Sequence, residues 1–223
     1  MLLAIDTSTQ TMGIALYNEP TVVGEMMWVT ASHHTVELAP AVEDLLRHCS
    51  VQAMELQAIA VALGPGSFTS LRIGLALAKG MALSLHIPVV GIPTFDYMAE
   101  AQPPSENPML VLLSAGRSRM AVQRYVSNGM KWQAESEPQV MTPDEISSSI
   151  ERPTIICGEM SAAERQVIGR KWKNAILLSP ALSQRKPCML AEMAWKRWKN
   201  GDVDDPVGLA PIYLHIAGGI QEQ

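Results

Sequence analysis

Short aliphatic runs broken by polar turns open the chain. Leu2-Leu3-Ala4-Ile5 ends on Asp6, a polar turn Thr7-Ser8-Thr9-Gln10-Thr11 follows, and a second extended run, Gly13 to Tyr17, stops at Asn18-Glu19-Pro20. Two apolar runs joined by a short polar turn predict a β-hairpin, and Val22 to Val29 predicts a third strand. From His33 to Cys49 the period changes. Val36, Ala39, Val42, Leu45, Leu46 and Cys49 recur at steps of three and four, the spacing of one helical stripe. Residues 57–63 are a compact apolar run closing in Gly64-Pro65-Gly66, the pattern of a buried parallel strand entering a tight turn. Ser67 or Thr69 can cap a helix that continues to about residue 85. Apart from Arg72, Lys79 and its serines this helix is apolar nearly all round, which predicts burial on all sides, within the fold or against a partner. Val89 to Ile92 reads as a strand and residues 94–101 as a short helix.

Residues 102–108, Gln-Pro-Pro-Ser-Glu-Asn-Pro, hold three prolines and favour neither helix nor strand. They divide the chain into a first lobe, 1–102, and a second lobe, 109–223, with 103–108 as the linker. The pattern then restarts: Met109 to Leu113 is aliphatic, residues 114–119 form a polar turn, and Met120 to Val126 is extended again. The offset from the first hairpin is about 108 residues, as expected of a repeated unit. A helix begins at Thr142-Pro143-Asp144-Glu145, with Thr142 as cap and Pro143 in the first turn. Strands at Thr154 to Cys157 and Ala175 to Leu178 alternate with helices at 161–170 and 187–199, the last stopped by Gly201. Two lobes that each open on a hairpin and continue as αβ units predict a duplicated α/β fold.

Composition narrows the class. Apolar residues make up 48% of the chain, enough for a core, but aromatics are only 5%, so that core is aliphatic with 14 Met as adaptable filler. A net charge of −5 argues against gripping a polyanion such as RNA unaided. Cys49, Cys157 and Cys188 have neither disulfide-framework nor metal-knuckle spacing and point to a reducing compartment. No apolar run approaches the roughly 18 residues of a membrane helix, and the N-terminus carries no basic flank or cleavage pattern. The expectation is a cytoplasmic protein with no membrane association.

Few segments carry candidate chemistry. Asp6 and Thr7, at a strand end beside a hydroxyl-rich turn, could position a hydrated Mg²⁺ or a phosphate; equally, an Asp/Thr turn can satisfy its own backbone. Gly64, Gly66 and Ser67 sit in a strand–turn–capped-helix segment that could hold an anion, or simply make a tight connection. Its glycine spacing matches neither a Walker loop nor a dinucleotide fingerprint. His33, His34, His48, His86 and His215 lack zinc spacing. Trp195-Lys196-Arg197-Trp198-Lys199 alternates aromatic and basic residues as nucleic-acid contacts do, but Cys188, Ala191, Trp195 and Trp198 fall on one helical stripe, which would leave the basic residues solvated. No Ser/His/Asp or Cys/His set can be assembled.

Leu3-Ala4-Ile5-Asp6-Thr7-Ser8-Thr9, Gly13-Ile14-Ala15-Leu16 and above all Gly64-Pro65-Gly66-Ser67-Phe68-Thr69 with Leu71-Arg72-Ile73-Gly74 resemble the bacterial TsaB (YeaZ) family, once labelled glycoprotease-like. Ser32-His33-His34-Thr35 and Pro211-Ile212-Tyr213-Leu214 are similar to it too. The resemblance implies a two-lobed fold of the actin/Hsp70/sugar-kinase (ribonuclease H-like) type. It also implies a non-catalytic subunit, without cofactor, serving threonylcarbamoyl transfer to a tRNA adenosine beside a TsaD-like catalytic subunit and a TsaE-like ATPase. Such a subunit meets tRNA only through the complex and forms a homodimer when alone. The implied partner surface lies on helices 33–49 and 69–85: Val36, Ala39, Val42, Leu45, Leu46, Arg72, Ile73, Leu75, Ala76 and Lys79. Where the TsaD paralogues carry two metal-binding histidines, this chain has Thr94 and Met98, so no metal is expected. The sequence departs from the family at Ser70, usually Gly, and at Ser114-Ala115-Gly116 with Arg119, where the family has an acidic turn. Rival readings are a nucleotide-dependent phosphotransferase of the same fold, with Asp6 ordering Mg²⁺ in the cleft, and a metal-dependent glycoprotease.

Overall fold

The structure, a computed structural model, describes residues 1–30, 33–116, 118–171 and 173–214. The opening strand β1 (Leu2–Asp6) pairs antiparallel with β2 (Thr11–Asn18), and β2 with β3 (Thr21–Val29). Helix α1 (His34–His48) leads to β4 (Ala58–Ala62), which lies parallel to β1. Helix α2 (Phe68–Leu85) leads to β5 (Val89–Ile92), parallel to β4, and then to α3 (Thr94–Glu100). The first sheet therefore runs β3-β2-β1-β4-β5.

A second sheet repeats the plan. Strand β6 (Met109–Ser114) pairs antiparallel with β7 (Met120–Ser127), and β7 in turn with two three-residue strands, β8 (Trp132–Ala134) and β9 (Gln139–Met141). Helix α4 (Pro143–Ser149), β10 (Thr154–Gly158), α5 (Ala162–Ile168) and β11 (Ala175–Leu177) follow, with β10 parallel to both β6 and β11. The order β11-β10-β6-β7-β8 reproduces the first sheet strand for strand. This is the duplicated α/β architecture of the actin-like class. Thr142 caps α4 as expected, and Glu145 completes a capping box, its side chain accepting from Thr142 N at 2.7 Å. In this second unit Leu110, Leu112, Val122, Ile146, Ile156 and Ile168 make the core.

The last helix, α6 (Pro187–Lys199), departs from the sequence expectation. It does not belong with residues 109–184. One compact unit comprises 1–101 together with 185–212, the other 102–184 with 213–214, so the division into lobes 1–102 and 109–223 is corrected at its C-terminal side. The reason lies in the first sheet. Leu3 and Ile5 of β1 face a core with Leu38, Val42, Leu45 and Leu46 of α1 and Leu75, Ala78 and Ala82 of α2. The alternate residues point to the other face, where Ala15, Ala4, Ala60 and Val90 are register neighbours on β2, β1, β4 and β5. Small side chains there let α6 lie across these four strands. The Trp195 ring meets Tyr17 edge-on at 5.5 Å, and Trp195 Nε1 donates to Glu19 at 2.8 Å. Lys186, the cap residue of α6, makes no side-chain cap; Glu25 of β3 accepts from Cys188 N instead, at 2.8 Å. Beyond α6, Asp204 bridges to Val89, and Arg197 donates to Gly91 O at 2.8 Å and to Asp202 and Asp204. Those contacts cover the β5 edge. The basic residues of α6 are thus engaged within the unit: Lys196 pairs with Glu192, and Lys199 sits over the Trp195 and Trp198 rings.

Helix α2 is not buried all round. Ser70, Leu71, Gly74, Leu75, Ala78 and Ala82 are buried, whereas Phe68, Arg72, Ala76, Gly80 and Leu83 are exposed. With 18 residues it is long and apolar enough to cross a membrane by those criteria alone, contrary to the sequence expectation that no run comes near that length. Its buried stripe on β4 gives the same composition a role inside the unit.

Gly13 carries a test of the α6 docking. A Cβ there would lie 2.3 Å from Pro187 Cγ. Strand propensity favours Gly13→Ala by about 0.5–1 kcal/mol, but the collision with a rigid ring costs about 1–3 kcal/mol. Gly13→Ala is therefore expected to lower stability in urea unfolding, and a gain would refute the packing account.

Candidate functional site

The candidate residues for a nucleotide or phosphate do converge, and their polar groups face one another. Asp6, at the end of β1, is buried. Its Oδ1 accepts from Ser8 N at 2.9 Å and Ser8 Oγ at 2.7 Å, and its Oδ2 accepts from Tyr97 Oη at 2.6 Å and from the Arg185 guanidinium. A carboxylate offers about four lone-pair sites, and all four are filled. Arg185 is itself fully buried and donates further to Thr9 Oγ1 at 2.7 Å and to the Thr11 carbonyl. Burial pushes the Tyr97 phenol well above its ordinary pKa, and the nearby Asp6 charge raises it further, so Tyr97 remains a donor.

The glycine turn locks onto this joint. Ser67 N donates to Ser8 O at 2.7 Å, and a Cβ on Gly66 would lie 2.2 Å from that same oxygen. Gly64, at φ +97°, donates its N–H to Thr94 Oγ1 at 3.1 Å and accepts from Thr94 N at 2.7 Å. Thr94 Oγ1 also bonds Ser8 Oγ at 2.8 Å. Thr7 Oγ1 donates to Ser70 O at 2.7 Å in the first turn of α2, and a Cβ on Gly74 would lie 2.3 Å from the Thr7 hydroxyl oxygen. Ser67, rather than Thr69, caps α2, its Oγ accepting from Ser70 N at 3.5 Å and from Ser70 Oγ at 2.9 Å. Ser70 is thus part of the cap. The groups that a phosphate or Mg²⁺ would need at Asp6, Gly64 and Ser67 are spent inside the joint. A Mg²⁺-nucleotide bound by these residues does not fit.

Thr94 and Met98 are buried in α3, and Thr94 is a structural bridge. His34 is buried, its Nε2 3.0 Å from Thr9 O, and His86 closes α2 in the left-handed region at φ 56°. Ser32, Arg117 and His215 lie outside the described residues.

The proposed partner surface divides in two. Val42, Leu45, Leu46 and Leu75 are buried in the unit's own core, which corrects their assignment to a docking face. Val36, Ala39, Arg72 and Ala76 are exposed, and Ile73 and Lys79 half-buried. A groove between α1 and α2 is lined by Ala39, Leu77 and Met81, with Glu43 and Arg47 at its rim, over the tops of Val42 and Leu46. A second hollow lies against Thr35, Phe68, Thr69, Arg72, Ile73 and Ala76, and the Arg72 guanidinium stacks 3.7 Å from the exposed Phe68 ring. Glu37 pins α1 to β3, accepting from Trp28 Nε1 at 2.8 Å and Thr30 Oγ1 at 2.9 Å. Sequence reasoning missed Arg185 and Tyr97. Neither belongs to a local motif, and each meets Asp6 from a distant part of the chain.

The match to known proteins decides the family. The chain is 33% identical to the tRNA threonylcarbamoyladenosine biosynthesis protein TsaB of Bacillus subtilis over 97% of this chain and 94% of that one. The chain belongs to the TsaB (YeaZ) family. TsaB of Escherichia coli is 33% identical over 64% of this chain and 63% of its own. A family model described as TsaD, tRNA N6-adenosine threonylcarbamoyltransferase, matches residues 28–180. Among solved structures, YeaZ from Pseudomonas aeruginosa superposes with a TM-score of 0.76 at 23% identity, covering 96% of this chain and 99% of that one, and shares the fold.

Two outcomes test the joint. Asp6→Ala strands a buried guanidinium and should cost about 3–5 kcal/mol, as should Arg185→Leu alone. The double variant should cost less than the sum, giving a coupling in chemical unfolding that a pair of independent residues would not show. The second concerns acid. Hydrogen bonds from Trp28, then Thr30, hold the Glu37 carboxyl below its ordinary pKa of 4.5. A depressed folded pKa gives stability that is present above 4.5 and lost as pH falls through the folded value. Glu37→Gln should flatten that acid limb of stability against pH, leaving the curve near neutrality parallel to wild type.

Proposed function

We propose that this TsaB-family chain is the non-catalytic partner subunit in tRNA threonylcarbamoyladenosine biosynthesis, cytoplasmic and without a bound cofactor. Its α1–α2 face would dock on a TsaD-like catalytic subunit, or on a second copy when alone. The observation that carries this reading is the division of labour within unit one. The strand-end carboxylate and glycine turn are consumed by internal bonds, while α2 leaves Phe68, Arg72, Ala76 and Leu83 uncovered beside the apolar groove of α1. An exposed aromatic–arginine pair beside aliphatic hollows has the composition of interface anchors. A TsaE-like ATPase would act in the same assembly, and with a net charge of −5 the chain would meet tRNA only through its partners.

Reconstitution tests this reading. Threonylcarbamoylation of tRNA by the TsaD-like and TsaE-like proteins should require this chain, and undiminished modification in its absence would overturn the assignment. The informative surface variant is Ala76→Arg, because Leu75→Asp would place a charge in the core and unfold the unit. Ala76→Arg should leave stability within about 0.5 kcal/mol while abolishing co-elution with the TsaD-like subunit in gel filtration. Unchanged co-elution would remove the α2 face from the interface.

A further inference from the structure

The shell around Arg185 is chemically that of a hard metal ion. Three oxygens of different kinds surround one buried guanidinium: the Asp6 carboxylate at Nη1, and the Thr9 hydroxyl and the Thr11 main-chain carbonyl at Nη2. A carboxylate, a hydroxyl and a carbonyl gathered in one place are the donors Mg²⁺ and Mn²⁺ take. Here their positive charge is supplied by a side chain with no exposed surface, entering from the residue pair before α6. Tyr97 Oη and the two Ser8 donors complete the carboxylate's bonds, so no lone pair on Asp6 remains for an ion while the guanidinium is seated.

We propose that Arg185 is the resident cation of this site: it permanently occupies the place of a divalent ion at Asp6, and its removal opens a hard-cation site made of Asp6, Thr9 and Thr11. The guanidinium keeps its charge at every physiological pH, so the substitution is constitutive. A metal ion would have to be bound again by each molecule, whereas a tethered guanidinium is always present and also ties α6 to the first sheet. The closure stands whether or not the chain pairs with a TsaD-like subunit.

Mn²⁺ binding read by electron paramagnetic resonance tests it on the full chain. Wild type should show no site in the millimolar range that depends on Asp6. Arg185→Gln keeps an N–H donor but loses the charge, and should gain one Mn²⁺ site, lost again in the Asp6→Asn/Arg185→Gln double variant. Millimolar Mn²⁺ should also raise the midpoint of thermal unfolding for Arg185→Gln and leave wild type and the double variant unmoved. Should Arg185→Gln not fold alone, refolding on addition of Mn²⁺ supports the proposal, and failure to refold overturns it. Wild-type Mn²⁺ binding that Asp6→Asn abolishes would overturn it too, as would a folded Arg185→Gln that takes up no ion.

Discussion

The buried pair of Asp6 and Arg185 is the constraint on which the first unit depends. Two charges withdrawn from water are tolerated only when their remaining lone pairs and protons are bonded, and here Ser8, Tyr97, Thr9 and Thr11 supply those bonds. The carboxylate and its two long-range partners come from three different parts of the unit. Asp6 ends β1, Tyr97 rides on α3, and Arg185 precedes α6. Satisfying one carboxylate therefore fixes the tip of the hairpin, the start of the last helix and the helix after β5 relative to one another. Ser8 then passes the constraint to the glycine turn through its carbonyl, which receives Ser67 N, and through its hydroxyl, which meets Thr94. The N-terminal end of α2 inherits its position from that joint.

A fixed α2 explains how one helix serves two environments. Its buried stripe, with Leu71, Leu75, Ala78 and Ala82, packs into the sheet, and the glycine and alanine positions between keep the helix close to its neighbours. Gly74 is where the close approach is unavoidable, since Thr7 occupies the space a Cβ would need. What remains outside carries one exposed charge, Arg72, and is otherwise small, apolar or hydroxyl-bearing. An exposed face of that kind is unusual for a monomeric surface helix, which places charge opposite its core stripe. The composition that suggests burial on all sides from sequence thus comes from two distinct causes, core packing on one side and an uncovered face on the other.

The order of elements was legible because periodicity changes cleanly from two to between three and four at His33 and again at Phe68, and because Thr142 and Pro143 mark a helix start by chemistry alone. Strands β8 and β9, three residues each, carry no such mark, since alternation cannot show itself over so few positions. Which residues of α1 and α2 face outward was only partly legible. Val42, Leu45 and Leu75 share a stripe with the exposed positions in sequence, but an aliphatic stripe looks the same against a sheet as against a partner. The site was legible as a place and not as a state. Asp6, Thr7, Gly64, Gly66 and Ser67 do gather, yet the residue that decides what Asp6 can bind lies 179 positions away.

That separation also settles which lobe the last helix serves. The second sheet ends its first strand on Ser114, paired with Met120, where the first sheet ends on Asp6, paired with Gly13. The duplicated topology therefore repeats the strand order without repeating the carboxylate: Ser114 stands where the first sheet has Asp6. The first sheet has both the acid and the row of alanines at Ala15, Ala4 and Ala60 that admits a helix bearing Trp195. A chain that has already built its second unit then returns to finish its first, where the charge and the space for α6 are both available. The fold's closure in sequence space is set by one ion pair and a row of missing side-chain volume, and the helix boundaries alone could not have predicted it.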